Sequence, residues 1–256
     1  MPLNIVSLVS VGRHPQSGRA RRAEQDSRAV ELGLKLADTA LTVLHVGNPD
    51  DPVLRQYAGM GLPSLTVLKQ EDSVDAVPVL QRFLEQKNID IVLTGVRAES
   101  GESSGMVPYL LAHALGWPVV ARVADIVAVK DGKAEVLLAL PRGQRRAVSI
   151  QLPFIASMDH AAEAARQSAF AVGLRATVES VESVGEVDQI RVDWQESVAK
   201  IRPKRLKTVK AKTAAERFKA ATAKPEGGTG KVMKNETPKE KARAIFDLLL
   251  EEKVIR

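Results

Sequence analysis

IDIVLTGVRAESGESSGMVPYLLAHAL, residues 89–115, runs from an apolar segment through a Gly/Ser-rich loop into a stretch of helical character. Ile89 to Leu93 reads as a buried strand and Met106 to Leu115 as a helix, so the sequence between them, Thr94 to Gly105, is a strand-to-helix connection. Such a connection presents backbone N–H groups and the positive end of a helix dipole, both of which favour a phosphate. Its small residues let a ligand approach the backbone, and the hydroxyls of Ser100, Ser103 and Ser104 are donors that add no negative charge. A second reading stands beside this one: Ser103 or Ser104 fits an ordinary helix N-cap. Neither Walker nor GxGxxG spacing is present.

The same alternation extends outward on the N-terminal side. Leu3 to Val11 reads as a buried strand that ends at the turn signal Gly12-Arg13-His14-Pro15, followed by a basic loop, Gln16 to Arg22. Ala23 to Ala37 spaces its apolar residues as a helix with one buried stripe. Strand Leu41–Val46, helix Pro52–Ala58, strand Ser64–Leu68, helix Val74–Lys87 and strand Ile89–Leu93 complete four βα units with the helix that starts at Gly105. The pattern predicts an α/β fold, a mostly parallel sheet with helices on both faces. Such sheets bind ligands where strands end, which nominates the loops Ser10–Gly18, Val46–Pro49 and Gly95–Gly105.

After Trp117-Pro118 the pattern becomes Val119–Val129, an Asp131-Gly132 turn, Ala134–Leu140, Gln144–Gln151 and Phe154–Met158, an antiparallel hairpin addition near one sheet edge. Ala161–Ala169 is Ala-rich and reads as helical, and Val178–Val184 and Ile190–Trp194 alternate weakly. Ile201–Gly230 lacks an apolar stripe and reads as an extended arm. Thr237 as N-cap with Pro238 at the first helical position starts a terminal helix over Lys239–Lys253, whose apolar stripe includes Ala244, Ile245, Leu248 and Leu249. The expected organisation is an α/β domain over 1–195 and an arm with its helix over 196–256. An apolar stripe beyond a polar arm needs a cover, on this chain or on a partner subunit.

Composition narrows the chemistry. With 45% hydrophobic residues the chain is expected to be globular, and no apolar run approaches the ~18 residues of a membrane span. The start lacks a signal-peptide pattern, so a soluble, cytoplasmic protein is expected. There is no cysteine, which excludes disulfides and thiolate chemistry, and the four histidines (14, 45, 113 and 160) form no metal-binding or triad spacing. Residues 201–241 hold thirteen Lys/Arg against four acids, more than the whole net charge of +6. Such a segment suits nucleic acid, a membrane surface or an acidic protein, or is simply a solvated extension. Apart from Phe218 that stretch has no aromatic to stack a base, so nucleic acid is not an expected partner.

Read together, the chain resembles the beta subunits of electron transfer flavoproteins. The resemblance rests on the order of Ala29-Val30-Glu31, Val46-Gly47, Gly59-Met60-Gly61, Ile89 to Gly95, the loop through Gly105, Leu115-Gly116-Trp117-Pro118 and Leu152-Pro153. It implies a Rossmann-like fold related to adenine-nucleotide-binding domains, and a heterodimer with an alpha subunit that holds most of the FAD. It also implies a structural AMP in this chain, or a second FAD as in flavin-bifurcating members. Electrons would pass from flavin-dependent dehydrogenases to a membrane or soluble acceptor, with the chain acting as a carrier subunit, not an enzyme. By position, the nucleotide would touch Ser10, Asp26 and Val46, while Gly95, Ala98, Gly101, Glu102, Ser103, Ser104 and Gly105 would surround its phosphate or ribose. The chain departs from the family in lacking an Asn-Pro dipeptide within Ala23–Asp26 and an Asp-rich phosphate loop. The alternative is a stand-alone nucleotide-binding stress or signalling protein of the same fold.

Overall fold

The computed structural model describes residues 3–71, 74–101, 103–185, 187, 189–195, 197–199, 213–222 and 233–251. The chain divides into two units, Met1–Gln195 and Glu196–Arg256.

In the first unit the elements run β1 (Ile5–Leu8), β2 (Val11–Arg13), β3 (Ala20–Arg22), α1 (Glu24–Ala37), β4 (Thr42–Gly47), α2 (Leu54–Ala58), β5 (Ser64–Lys69) and α3 (Ala76–Glu85). There follow β6 (Ile91–Thr94), α4 (Val107–Leu115), β7 (Val119–Lys130), β8 (Lys133–Ala139), β9 (Arg145–Gln151), β10 (Phe154–Met158), α5 (Phe170–Arg175), β11 (Thr177–Glu182) and α6 (Gln189–Val192). Nine strands form one sheet in the order β11-β5-β4-β1-β6-β10-β7-β8-β9. Pairing is parallel from β11 to β7 and antiparallel through β8 and β9.

Strand side chains alternate between faces, so each central strand feeds two cores. Ile5, Val43, Ile91, Leu93 and Phe154 pack on one face with Ala29 and Val30 of α1 and with Leu54 and Tyr57 of α2. Val6, Leu44, Val92 and Ile155 point to the other face and meet Val79, Leu80 and Leu84 of α3 and Leu111 of α4. Continuous apolar strands are what a sheet covered on both sides requires, and the α/β architecture expected from the repeat is the one observed.

Several expected elements differ, each for an identifiable reason. The first strand stops at Leu8 rather than Val11, because both polar groups of Ser10 are captured outside the ladder: its N–H donates to Asp26 and its carbonyl accepts from Tyr57. Val11–Arg13 instead pairs antiparallel with Ala20–Arg22, so most of the expected basic loop is a hairpin. Phe154–Met158 is not part of the antiparallel addition; it inserts parallel between β6 and β7. Ala161–Ala169 is not helical. Its carbonyls are taken by arginines from elsewhere in the chain: Arg145 binds Ala161 O, Arg28 binds Ala162 O and Arg22 binds Arg166 O. Arg166 in turn forks onto Glu31 at 2.8–3.0 Å, fixing the segment in an extended path. The weakly alternating Ile190–Trp194 overlaps the short helix α6.

The second unit contains α7 (Ala214–Thr222) and α8 (Pro238–Glu251). Sequence reading gave the first stretch to an extended arm, yet Thr213 and Glu216 form a reciprocal capping box, each backbone N–H donating to the other's side chain at 3.2 Å. Residues 201–212 and 223–232 of the expected arm lie outside the described residues. Thr237 caps α8 as expected, with Glu240 reaching back to its N–H at 2.8 Å. Ile245, Phe246 and Leu248 are exposed on that helix. Residues 252 and 253, the end of the expected helix, lie outside the described residues.

Helices α2 and α5 approach through glycines. A Cβ on Gly173 would lie 2.3 Å from Arg55 O, and one on Gly59 would lie 2.2 Å from Ser168 Oγ. Gly173→Ala is expected to cost about 1–3 kcal/mol through overpacking, measured by urea unfolding; unchanged stability would show that the two helices separate freely.

Candidate functional site

From β1 the chain crosses through α1 to β4 on one side, whereas β6 and its successors lie on the other. The carboxyl ends of β1 and β6 therefore flank a topological switch point, where open α/β sheets bind ligands. Asp26, in the first turn of α1 and only 5% exposed, fills the gap between these two strand ends. Its Oδ2 accepts from the Ser10 N–H at 2.8 Å and from Ser10 Oγ at 2.5 Å, and its Oδ1 accepts from the Gly95 N–H at 3.1 Å. Gly95 is needed for this approach, since a Cβ there would meet Oδ1 at 2.2 Å.

Burial pushes the Asp26 carboxyl up from 3.8 to about 6, against the opposing effect of the Ser10 and Gly95 hydrogen bonds and with a smaller upward contribution from Glu99. Tyr57 braces the same corner: its buried hydroxyl donates to Ser10 O and accepts from the Ala23 N–H, each at 2.8 Å. Burial holds that phenol well above its usual range.

The 95–105 loop is pinned at several points. Val96 N–H donates to Gln25 Oε1 at 3.1 Å, and Glu99 Oε1 accepts from the Glu24 N–H at 2.8 Å and from Arg21 at 3.2 Å. Ser100 Oγ donates to Val11 O at 2.5 Å, which ties the loop to the β2–β3 hairpin. Ser103, at φ +56°, donates to Ala98 O, and Ser104 Oγ accepts from the Met106 N–H at 3.3 Å. Neither serine takes the helix-cap role expected of the pair: the N-cap of α4 is Met106, without a side-chain cap bond, and Ser104 instead closes a turn ahead of the helix.

These strand ends and the loop enclose a cavity of about 270 Å³. The structure brings Ser10, Asp26, Val46, Gly95, Ala98, Ser103, Ser104 and Gly105 together on its wall. Gly101 forms a turn at φ +70° and does not line it. Glu102 lies outside the described residues. Sequence reasoning missed His45, whose Nδ1 lies 2.8 Å from Val9 O, together with Arg97, Leu44, and Leu80 from α3. His45 and Arg97 were within reach, one beside a nominated residue and the other inside the nominated loop. Leu80 carries no local signal, because only tertiary packing delivers α3 to this edge.

The wall combines an apolar part, from Leu8, Leu44, Leu80 and Val107, with the hydroxyls, backbone amides and the arginine of the 95–105 loop. The volume sits just below the roughly 300–1,000 Å³ typical of small-molecule sites. That lining suits a small ligand with an apolar part and an anionic or hydroxyl-bearing part. Among the described residues no group of His, Cys, Asp or Glu is arranged to hold a metal ion, and no helix is long and apolar enough to cross a membrane.

A doubly wound α/β domain with a small-ligand cavity at its switch point defines the class of protein. Within that class, residues 16–184 match the family model of the electron transfer flavoprotein domain. The electron transfer flavoprotein subunit beta of Chromohalobacter salexigens is 48% identical over 259 residues, spanning 99% of this chain and 96% of that protein. The chain belongs to the electron transfer flavoprotein beta subunit family.

Asp26 makes stability depend on pH in a defined direction. Its folded value of about 6 lies above its ordinary 3.8, so the folded protein holds an extra proton between them. The stabilisation is full below the lower value and is lost as pH rises through the higher one. In urea unfolding at about pH 4.5 and about pH 7.5, the stability difference between wild type and Asp26→Asn is expected to move against wild type at the higher pH. A constant difference would contradict a raised carboxyl.

Proposed function

We propose that this chain binds AMP as a structural nucleotide and pairs with an FAD-bearing alpha subunit, the heterodimer carrying electrons from flavin-dependent dehydrogenases to a membrane or soluble acceptor. The observation that carries this reading is the stapled cavity at the switch point of a family member, sized for a mononucleotide. When bound in the partner, FAD supplies the redox-active ring. Electron transfer asks no acid, base or nucleophile of this chain, only that it position its neighbours.

In this reading Asp26, Ser10 and Gly95 hold the two strand ends in register, Val46 and its apolar neighbours face the base, and the Ala98–Gly105 segment faces the ribose phosphate. The nucleotide then acts as a packing element, joining β1, β4 and the loop ahead of α4. The exposed stripe of Ile245, Phe246 and Leu248 on α8 supports docking of that helix on the alpha subunit. A stand-alone nucleotide-binding protein would leave the capped helix without a role. A soluble, cytoplasmic location follows from the same reading.

Co-expression with a candidate alpha subunit tests the assignment. A yellow heterodimer on gel filtration, reducible by a flavin-dependent dehydrogenase, is the expected result, and a colourless, stable monomer would contradict it. Removing Thr237 to Arg256 is expected to weaken the heterodimer by at least about tenfold, given the apolar surface each buried side chain contributes. Unaltered affinity would mean that the helix does not dock outward.

A further inference from the structure

The anion-binding case for the 95–105 loop rests, in sequence, on backbone N–H groups, a helix start and three hydroxyls, and two of those hydroxyls have spent their protons. Ser100 Oγ donates to Val11 O and Ser103 Oγ donates to Ala98 O. Only Ser104 Oγ, which accepts from the Met106 N–H, keeps a proton to give. At the start of α4 the Met106 N–H is committed to Ser104, those of Tyr109 and Leu110 to Met106 O, and Pro108 has none, so among the described residues the helix start offers a neutral donor at Val107 alone. The carboxyl of Asp26 on the same wall repels an anion whenever it is ionised. The groups nominated by sequence therefore leave a phosphate short of positive charge.

Arg97 also lines this cavity, and it is exposed. It has no hydrogen bond or ion pair among the described residues, whereas three nearby arginines are engaged. Arg21 is paired with Glu99, Arg22 with Arg166 O, and Arg28 with Glu24 and Ala162 O. The stem of Arg97 lies against the turn that opens onto α4: a Cβ on Gly105 would come within 3.3 Å of Arg97 Cβ and 2.9 Å of Val96 O. Gly105, at φ +75°, thus keeps clear the space in which the arginine leaves the backbone.

We propose that Arg97 is the phosphate-binding residue of this cavity, its guanidinium pairing with the phosphate of an adenine mononucleotide and making the site select nucleotide over nucleoside. The inference rests on the nucleotide reading of the cavity given above. A planar guanidinium presents two parallel donors to two phosphate oxygens, which gives orientation as well as charge neutralisation. It needs no rearrangement of the serines, which remain free to hold the loop in shape.

The test is calorimetric titration of the full-length chain, freed of bound nucleotide, with AMP and with adenosine at low and high salt. Arg97→Gln is expected to weaken AMP binding by about 10- to 100-fold, to leave adenosine binding unchanged, and to flatten the salt dependence of AMP binding. Arg97→Lys should recover part of the loss. Unchanged AMP affinity in Arg97→Gln, or an equal loss for adenosine, would overturn the proposal. A wild-type chain that binds AMP and adenosine equally well would overturn it while leaving the nucleotide reading intact; one that binds neither would overturn both.

Discussion

The buried carboxylate of Asp26 is the interaction on which the rest of this structure depends. β1 and β6 run parallel and end at the same edge of the sheet, while the strands that follow them lie on opposite sides, so beyond their ends they share no ladder bonds and the next N–H groups would be left unpaired in a poorly solvated crevice. Asp26 accepts from both, through Ser10 on one side and Gly95 on the other. An unpaired buried amide costs about 1–3 kcal/mol, so one side chain removes two such penalties and sets the spacing of the crevice. The opposing cost is desolvation of the carboxyl, visible in its rise to about 6. The crevice is thereby held by an interaction beneath it, which leaves the rest of its wall free.

A similar economy runs through the surrounding loops. Tyr57 of α2 satisfies Ser10 O and the Ala23 N–H, Glu99 satisfies the start of α1, and Ser100 ties the hairpin to the loop. Arginines from α1 and the β3 hairpin do for residues 161–166 what a helix would have done internally, accepting long side-chain reach in exchange for an extended path. Loops without secondary structure still need their polar groups paired. Here that pairing is made by long-range side chains, which makes the site corner a single cooperative assembly.

The repeat of apolar strands and amphipathic helices made the α/β architecture legible, because a period of two or of 3.6 is a local property. The parallel insertion of β10 was not, since Phe154–Met158 reads the same whether its neighbour is β6 or β9. The Ala161–Ala169 segment misled for a related reason: alanine favours a helix locally, but its carbonyls are claimed by Arg28 and Arg145, distant in sequence. At the candidate site the loop Gly95–Gly105 was visible from its small residues, and Asp26, Ser10 and Val46 came through family resemblance. What each does was not visible. Asp26 grips backbone rather than presenting a free carboxylate, and the serines mostly grip the loop, because the direction of a hydrogen bond is set by tertiary geometry. Membership of the electron transfer flavoprotein beta subunit family is the context in which we propose that this corner holds a nucleotide.

The central claim is that the crevice stapled by Asp26 holds a single adenine mononucleotide as part of the fold. Denaturing the purified full-length chain in complex with its partner and identifying the released small molecules by mass tests it most directly. The account predicts AMP in equimolar amount to this chain, alongside the partner's FAD. Release of a second FAD, or of no adenine nucleotide other than the partner's FAD, would contradict it.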